Sequence, residues 1–233
     1  MRLLKFNFRW VHVLIVMLVQ CATVLAQNEF PPKAKWDTAY INKMLLACDS
    51  LRFTDVNRAE KIALKCLKEA QQLSYKQGVA ASYITCAEIE FNSMKFNKAI
   101  FFYKKALPLS VQFAPKYLFK IYPNLASAYN QLVMYDSAIY YCNKALVYEK
   151  KHPSSKIKVA IYSLLIQMYA MQNNYKNIDN LAILAIDEYN KDNKDSNFPM
   201  LFTAIGAFYT QTNTNKALYY YNKAIHISLL LND

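Results

Sequence analysis

Apolar and small residues recur along this chain with a period of about forty residues. Four of the five copies start with an aromatic and an apolar residue and continue with a small residue and often a tyrosine, whereas the first copy lacks the aromatics. The copies close with two residues seven positions apart, which are small in all but one case. Apolar positions three, four and seven residues apart share one face of a helix, so each half of a copy predicts one helix. The pattern therefore predicts a helical repeat array. The closing pairs of the five copies are Ala59 and Cys66, Ala99 and Ala106, Ala138 and Ala145, Ile178 and Ala185, and Ala217 and Ala224.

The small residues explain why the two helices of a copy would pair. In the third copy, Ala126, Ala138 and Ala145 leave space that bulky residues such as Tyr122 and Leu125 can fill. One pair of helices buries too little apolar surface to be stable alone, so we expect each repeat to stack on the next. The composition agrees, because 55% of the residues are apolar and only two are glycine, which leaves little provision for β-turns.

These residues resemble the signature of tetratricopeptide repeats, from about Ala39 to the C-terminus. The resemblance implies an all-α fold, a right-handed α-solenoid of about five helix pairs, whose first helices line a concave ligand-binding groove. The period is about forty residues rather than the usual ~34, which predicts helices or linkers longer by about one turn. Pro115 and Pro123 predict an irregular joint in the segment 110–120, with a helix that begins anew or is kinked at Pro123.

The N-terminus has the character of a secretory signal peptide. Arg2, Lys5 and Arg9 precede an apolar run, residues 11–26, that ends in small residues, and we expect cleavage after Ala26. The run is shorter than the ~20 apolar residues that a membrane-spanning helix needs.

Two alternatives to cleavage remain open, an uncleaved membrane anchor and a lipoprotein modified at Cys21. The preferred interpretation divides the chain into a signal peptide at 1–26, an extended lead segment at 27–38 and a helical repeat domain at 39–233. It predicts export to the periplasm or the cell envelope.

Catalytic chemistry finds little support in the sequence. There is no glycine-rich phosphate loop, no nucleophile motif and no convergent set of His, Asp and Glu, so we predict no enzymatic activity, no cofactor and no metal site. Export would allow disulfides. However, three of the four cysteines after the apolar run stand where other repeats have Ala, Leu or Tyr, so we favour buried packing residues. The four are Cys48, Cys66, Cys86 and Cys142.

Positive charge is concentrated in the middle of the chain. The whole chain has 28 basic and 16 acidic residues. Cleavage of the signal peptide would remove three basic residues and leave 25, so the mature chain would have a net charge of +9. The segment from Lys95 to Lys158 holds eleven lysines and two acids, which is also +9. Such a segment can indicate nucleic acid, anionic lipid or an acidic protein as partner. Export argues against nucleic acid, and we favour a solvated lysine face.

The outward positions of the first helices are the candidate partner-binding residues. Amide and hydroxyl groups beside an aromatic ring suit an extended peptide or a partner helix of neutral or mixed charge. We expect Glu88 to repel a terminal carboxylate. The candidates are Glu88, Phe91, Asn92 and Lys95 in the second repeat, Lys120, Ser127, Asn130 and Gln131 in the third, and Ser163, Gln167 and Met171 in the fourth.

The last predicted helix is apolar on more than one side, whereas repeat arrays usually end in a helix with a polar outer face. We expect association there, with a second copy, a partner protein or further sequence, through Tyr220, Ile227, Leu230 and Leu231. The array also resembles the exported tetratricopeptide regions that precede a membrane segment and a kinase or regulator in bacterial sensors. The leading hypothesis is therefore an exported, non-catalytic scaffold or adaptor that binds a protein or peptide. The alternative is a ligand-sensing domain that signals to a membrane transducer through its last helix.

Overall fold

The computed structural model describes residues 36–153, 155–191, 195–210 and 212–232. The predicted signal peptide and the first part of the predicted lead segment, residues 27–35, lie outside the described residues. Thr38–Asp233 forms one compact unit. In the described ranges the secondary structure consists of ten α-helices and one short 3-10 helix, without a strand. The predicted all-α fold of five helix pairs is confirmed.

The helices alternate along the chain as first and second members of successive pairs. They are α1 Thr38–Thr54, α2 Val56–Gln72, α3 Lys76–Asn92, α4 Phe96–Phe113, α5 Leu118–Gln131, α6 Tyr135–Lys151, α7 Ser155–Met171, α8 Tyr175–Lys191, α9 Phe198–Tyr209 and α10 Thr214–Asn232. None of the described helices is long and apolar enough to cross a membrane.

Helix length accounts for the long repeat. Six of the ten helices have 17 residues, and three-residue turns such as 93–95 and 132–134 connect them. Two such helices with their turns span about forty residues, because each helix is about a turn longer than in a repeat of ~34 residues. The prediction of longer helices is therefore correct.

Four of the short turns use the same backbone device. Ser74, Met94, Val133 and Asn173 adopt the left-handed conformation, with φ between 52° and 61°. The residue after each one donates its backbone N–H to a carbonyl five positions earlier, as Met134 does to Tyr129 at 2.9 Å. This is the Schellman arrangement, which satisfies the last carbonyls of a helix and reverses the chain. It forms here without glycine at the left-handed position.

The core is built on the small residues that the repeat pattern aligned. Ala59, Ala99, Ala138 and Ile178 are fully inaccessible to solvent, and Ala217 is 4% exposed. Large side chains fill the spaces between helices, among them Phe198 and Phe202 in the last pair.

The four cysteines of the described chain are buried and free, as their repeat positions suggested. Burial raises the pKa of each thiol to about 12. The thiols therefore stay protonated at neutral pH and behave as small apolar groups.

The irregular joint lies where the prolines predicted it. Helix α4 ends at Phe113, a 3-10 turn spans Pro115–Tyr117, and α5 begins at Leu118. Of the two alternatives predicted at Pro123, a new helix start is excluded, because Pro123 lies inside α5. Pro123 stands in the second turn of α5, where its missing N–H removes one helical hydrogen bond.

Candidate binding groove

A groove of about 750 Å³ runs along the first helices of all five pairs. Arg52 and Phe53 stand at one end, where α1 finishes, and Met200 of α9 stands at the other. Between them α3, α5 and α7 supply most of the lining, and Tyr103 of α4 contributes from the layer behind. A second cavity of about 720 Å³ shares Gln167 and Met200 with the groove.

Most of the candidate residues lie in these two cavities. Those in the groove are Glu88, Phe91, Asn92, Lys120, Ser127, Ser163 and Gln167, and those in the second cavity are Asn130, Gln131, Gln167 and Met171. Lys95 lines neither cavity, and its Nζ lies 3.6 Å from Glu90 Oε2. The prediction that Lys95 lines the groove assumed that α3 continues to this residue. Helix α3 ends at Asn92, so Lys95 belongs to the following turn.

The carboxylate of Glu88 is not free in the groove. Arg52 Nη1 lies 2.5 Å from Glu88 Oε2, and Lys120 Nζ lies 2.7 Å from Glu88 Oε1. Glu88 is 6% exposed. The expectation that it repels a carboxylate is therefore wrong, because both of its oxygens are paired with cations. The three residues come from α1, α3 and α5, so the cluster links three repeats.

Arg52 was missed by the sequence analysis, since the first repeat is the weakest copy of the pattern. A signal did exist, because Arg52 and Arg58 are the only arginines after the leader. Arginine is the cation best suited to hold a partly buried carboxylate, because its guanidinium is always charged and carries five donors.

The rest of the groove combines apolar walls with amide groups. Phe119 and Met200 are 46% and 52% exposed, and Ile157 and Leu164 are partly buried beside them. Exposed apolar side chains that line one cavity are typical of a recognition surface. These apolar residues were also missed, because no single repeat position marks them.

The amides of the two cavities differ in how far they are already engaged. Asn124 Nδ2 donates to the Tyr103 hydroxyl at 3.0 Å and is thereby oriented. The side chains of Asn92, Asn130 and Gln131 make no hydrogen bond with the described residues and remain accessible at the surface. Their donors and acceptors are open to a ligand.

The last helix differs from its prediction in two of four positions. Tyr220 and Ile227 are 8% and 1% exposed, so they belong to the core and not to an association face. The physical reason is the helical period, which turns both side chains toward α9, where the Tyr220 ring stacks on Phe202. Leu230 and Leu231 are exposed, as predicted. The other exposed large apolar residues of α10 are Leu218, Tyr219, Ile225 and Leu229.

Solved structures with a similar fold identify the architecture. BtubC (BKLC) from P. vanneervenii superposes with a TM-score of 0.69 at 20% identity, over 83% of this chain and 82% of that chain. A putative kinesin light chain of Podosopora anserina with nearly identical TPR-like repeats gives a TM-score of 0.67 at 11% identity, over 83% and 97% of the two chains. The chain has a tetratricopeptide-like fold.

The apo form of RapI is a further tetratricopeptide-like neighbour, with a TM-score of 0.54 at 15% identity over 81% of this chain and 68% of that chain. The sequence matches no protein-family profile and no curated protein. All three structural likenesses are below 25% identity and therefore establish the fold alone. The tetratricopeptide-like fold is a helical repeat scaffold.

Proposed function

We propose that this protein is an exported scaffold or adaptor that binds a segment of a partner protein in the groove and performs no catalysis. The observation that carries the proposal is the groove itself, to which the first helices of all five pairs contribute. A cavity of about 750 Å³ with exposed apolar walls has the size and character of a ligand site.

The chemistry of the lining indicates how such a segment would be held. Apolar side chains of the partner would pack against Phe119 and Met200, which contributes affinity through buried apolar area. The open amides of Asn92, Asn130 and Gln131 would pair with backbone N–H and C=O groups, which every extended peptide presents at regular spacing. The groove therefore favours a segment of mixed apolar and polar composition.

The charged end of the groove adds a direction to the binding mode. Arg52 and Lys120 pair with Glu88, and Arg52 Nη1 also lies 3.7 Å from Asp49 Oδ1, so two cations face two carboxylates. The side chain of Lys120 is 43% exposed and remains accessible to a partner. An acidic residue of the partner placed near α1 and α5 would gain a charge-assisted contact. The apolar residues of the partner would then lie toward α7 and α9.

Selection of peptides on the protein tests the proposal. A random-peptide display library would be panned on residues 27–233, and selected peptides measured by titration calorimetry. Replacement of Phe119 by Ser together with Asn130→Ala and Gln131→Ala should weaken binding about tenfold or more. The matched control, Tyr140→Ser with Asn143→Ala on α6, should bind as the native chain does. Equal affinity of the two variants would refute the groove as the site.

A second candidate function is a ligand-sensing domain that signals through α10. The observation in its favour is the exposed apolar surface of that helix, on which Leu218, Ile225 and Leu229 are each more than half exposed. Light scattering would detect a ligand-dependent change from monomer to dimer if this function operates. A ligand that binds without changing the oligomeric state would favour the scaffold.

A further inference from the structure

An aromatic residue followed four positions later by a lysine recurs on the second helices of three repeats. The aromatic residue stands two positions after the aligned small residue of its repeat, and each ring is about half exposed, between 52% and 55%. The distances from lysine Nζ to the ring centroid are 5.6 Å for Lys105 and Phe101, 5.3 Å for Lys144 and Tyr140, and 5.9 Å for Lys223 and Tyr219.

Two of these pairs stand on the second helices of successive repeats, α4 and α6, and we call the exposed residues around them the outer face. Lys104 Nζ of α4 lies 5.6 Å from the ring centroid of Tyr129, Tyr129 stacks on Tyr141 at 5.6 Å, and Tyr141 contacts Tyr140 at 5.1 Å. This chain of contacts joins the exposed stripe of α4 to that of α6. The exposed residues of the outer face are Phe101, Lys104, Lys105 and Val111 on α4 and Tyr140, Lys144 and Val147 on α6.

The lysines of the basic segment differ in whether they form ion pairs. The outer-face lysines form no ion pair with any residue in the described ranges. Four other lysines pair with buried carboxylates: Lys95 and Lys98 with Glu90, Lys120 with Glu88, and Lys158 with Glu149. In the described ranges, the exposed lysines of the segment without an ion pair are therefore the three of the outer face together with Lys116, Lys150 and Lys151.

Few acidic residues accompany these lysines. Helix α4 contains no acidic residue, and α6 contains Asp136 and Glu149. Asp136 accepts a hydrogen bond from Gln172 in the turn after α7, and Glu149 is 5% exposed and paired with Lys158.

The outer face also exposes apolar groups beside its lysines. Val111 and Val147 are 55% and 60% exposed, and Phe101 is 55% exposed. A purely ionic partner, such as a nucleic acid, would gain nothing from the two valines. An anionic bilayer offers both negative headgroups and an apolar layer a few ångströms beneath them. Aromatic rings and lysines whose stems lie along apolar surface suit that boundary.

We propose that the outer face is a peripheral membrane-binding surface that docks on a bilayer containing anionic lipid. The lysines attract the surface to the headgroups, and Phe101, Tyr140 and the two valines enter the interfacial layer. The proposal is independent of peptide binding, because no outer-face residue lines the groove.

Sedimentation with lipid vesicles tests the proposal. Residues 27–233 contain all the described helices and their core, so this part of the chain would be used once its helical circular dichroism is verified. It should sediment with vesicles of phosphatidylcholine and phosphatidylglycerol at 7:3, and not with phosphatidylcholine alone. Removal of one lysine charge should lower the partition coefficient about fivefold, and the triple variant Lys104→Gln, Lys105→Gln, Lys144→Gln about 100-fold.

A charge-matched variant distinguishes binding through the outer face from general electrostatic attraction of the basic protein to anionic vesicles. The variant Lys43→Gln, Lys76→Gln, Lys176→Gln removes the same charge from exposed positions of α1, α3 and α8 and should retain most of the binding. The variant Phe101→Ser, Tyr140→Ser keeps the charge and should bind less. Three outcomes would overturn the proposal: equal loss in the two lysine variants, no binding to the anionic vesicles in 20 mM salt, or binding to single-stranded DNA in place of vesicles.

Discussion

Replacement of Glu88 by Gln is the perturbation that most sharply probes the charged cluster of the groove. Each oxygen of this carboxylate has its own cation, Arg52 on Oε2 and Lys120 on Oε1. A glutamine keeps the size of the side chain but turns an NH2 group toward one of the two cations. The variant therefore loses two ion pairs and leaves two positive charges side by side.

The magnitude follows from how exposed each partner is. The side chain of Arg52 is 21% exposed and that of Glu88 is 7% exposed, so their pair is well shielded from water. At an effective dielectric constant of about 20 the attraction of two charges 4 Å apart is about 4 kcal/mol, from which the desolvation of both groups must be subtracted. We expect a net coupling of about 1–2 kcal/mol for Arg52 and Glu88. Lys120 is 43% exposed, so its coupling to Glu88 should be only about 0.5 kcal/mol.

Two double-mutant cycles in urea measure these couplings. One combines Arg52→Gln with Glu88→Gln, and the other combines Lys120→Gln with Glu88→Gln, each at 50 mM and 500 mM salt. The Arg52 coupling should exceed the Lys120 coupling and depend less on salt, because buried pairs are screened less than exposed ones. A Lys120 coupling equal to or larger than the Arg52 coupling would refute this reasoning.

Three further predictions concern the turns, the acids and the thiols. Val133→Gly should stabilise the protein by about 1 kcal/mol in urea melts because a β-branched residue is strained at φ 61°, whereas Val147→Gly, inside helix α6, should destabilise it by about 0.5 kcal/mol. Burial raises the pKa of Glu188, but hydrogen bonds from Lys191 and Lys158 outweigh it and hold the pKa below its usual value. The resulting stability exists at neutral pH and is lost as the pH falls through the lowered pKa, so Glu188→Gln should cost stability at pH 7 and little at pH 3 in chemical melts. The four buried thiols should react with a disulfide reagent at pH 8 only when the protein is denatured, and rapid reaction of the native protein would contradict their burial.

Local spacing in the sequence was sufficient to predict the fold. The small residues at Ala99, Ala138 and Ala217 mark helix crossings, and such crossings recur at a fixed interval because each repeat packs in the same way on the next. The joint at Pro115 could also be predicted from local sequence, because the missing N–H of proline affects the backbone within one turn of the chain.

Pairings between repeats were beyond what the sequence pattern could predict. Glu88 and Arg52 are 36 residues apart, and the local sequence around neither residue indicates that they are in contact. The predictions for Lys95 and Tyr220 were wrong for another reason. The first depends on the residue at which α3 ends, and the second on the rotation of α10 about its axis to within a fraction of a turn. Helix ends and rotations are set by tertiary packing, which periodicity fixes only approximately.

Photo-crosslinking in cells that produce the protein tests the central proposal, partner binding in the groove, most directly. Benzoylphenylalanine would replace Ser127 or Gln167 in the groove and, as matched controls, Asn57 or Asn180 on the exposed sides of α2 and α8. The proposal predicts one adduct of defined mass from both groove positions and none from the controls. Adducts from the control positions alone, or none from any position, would contradict it.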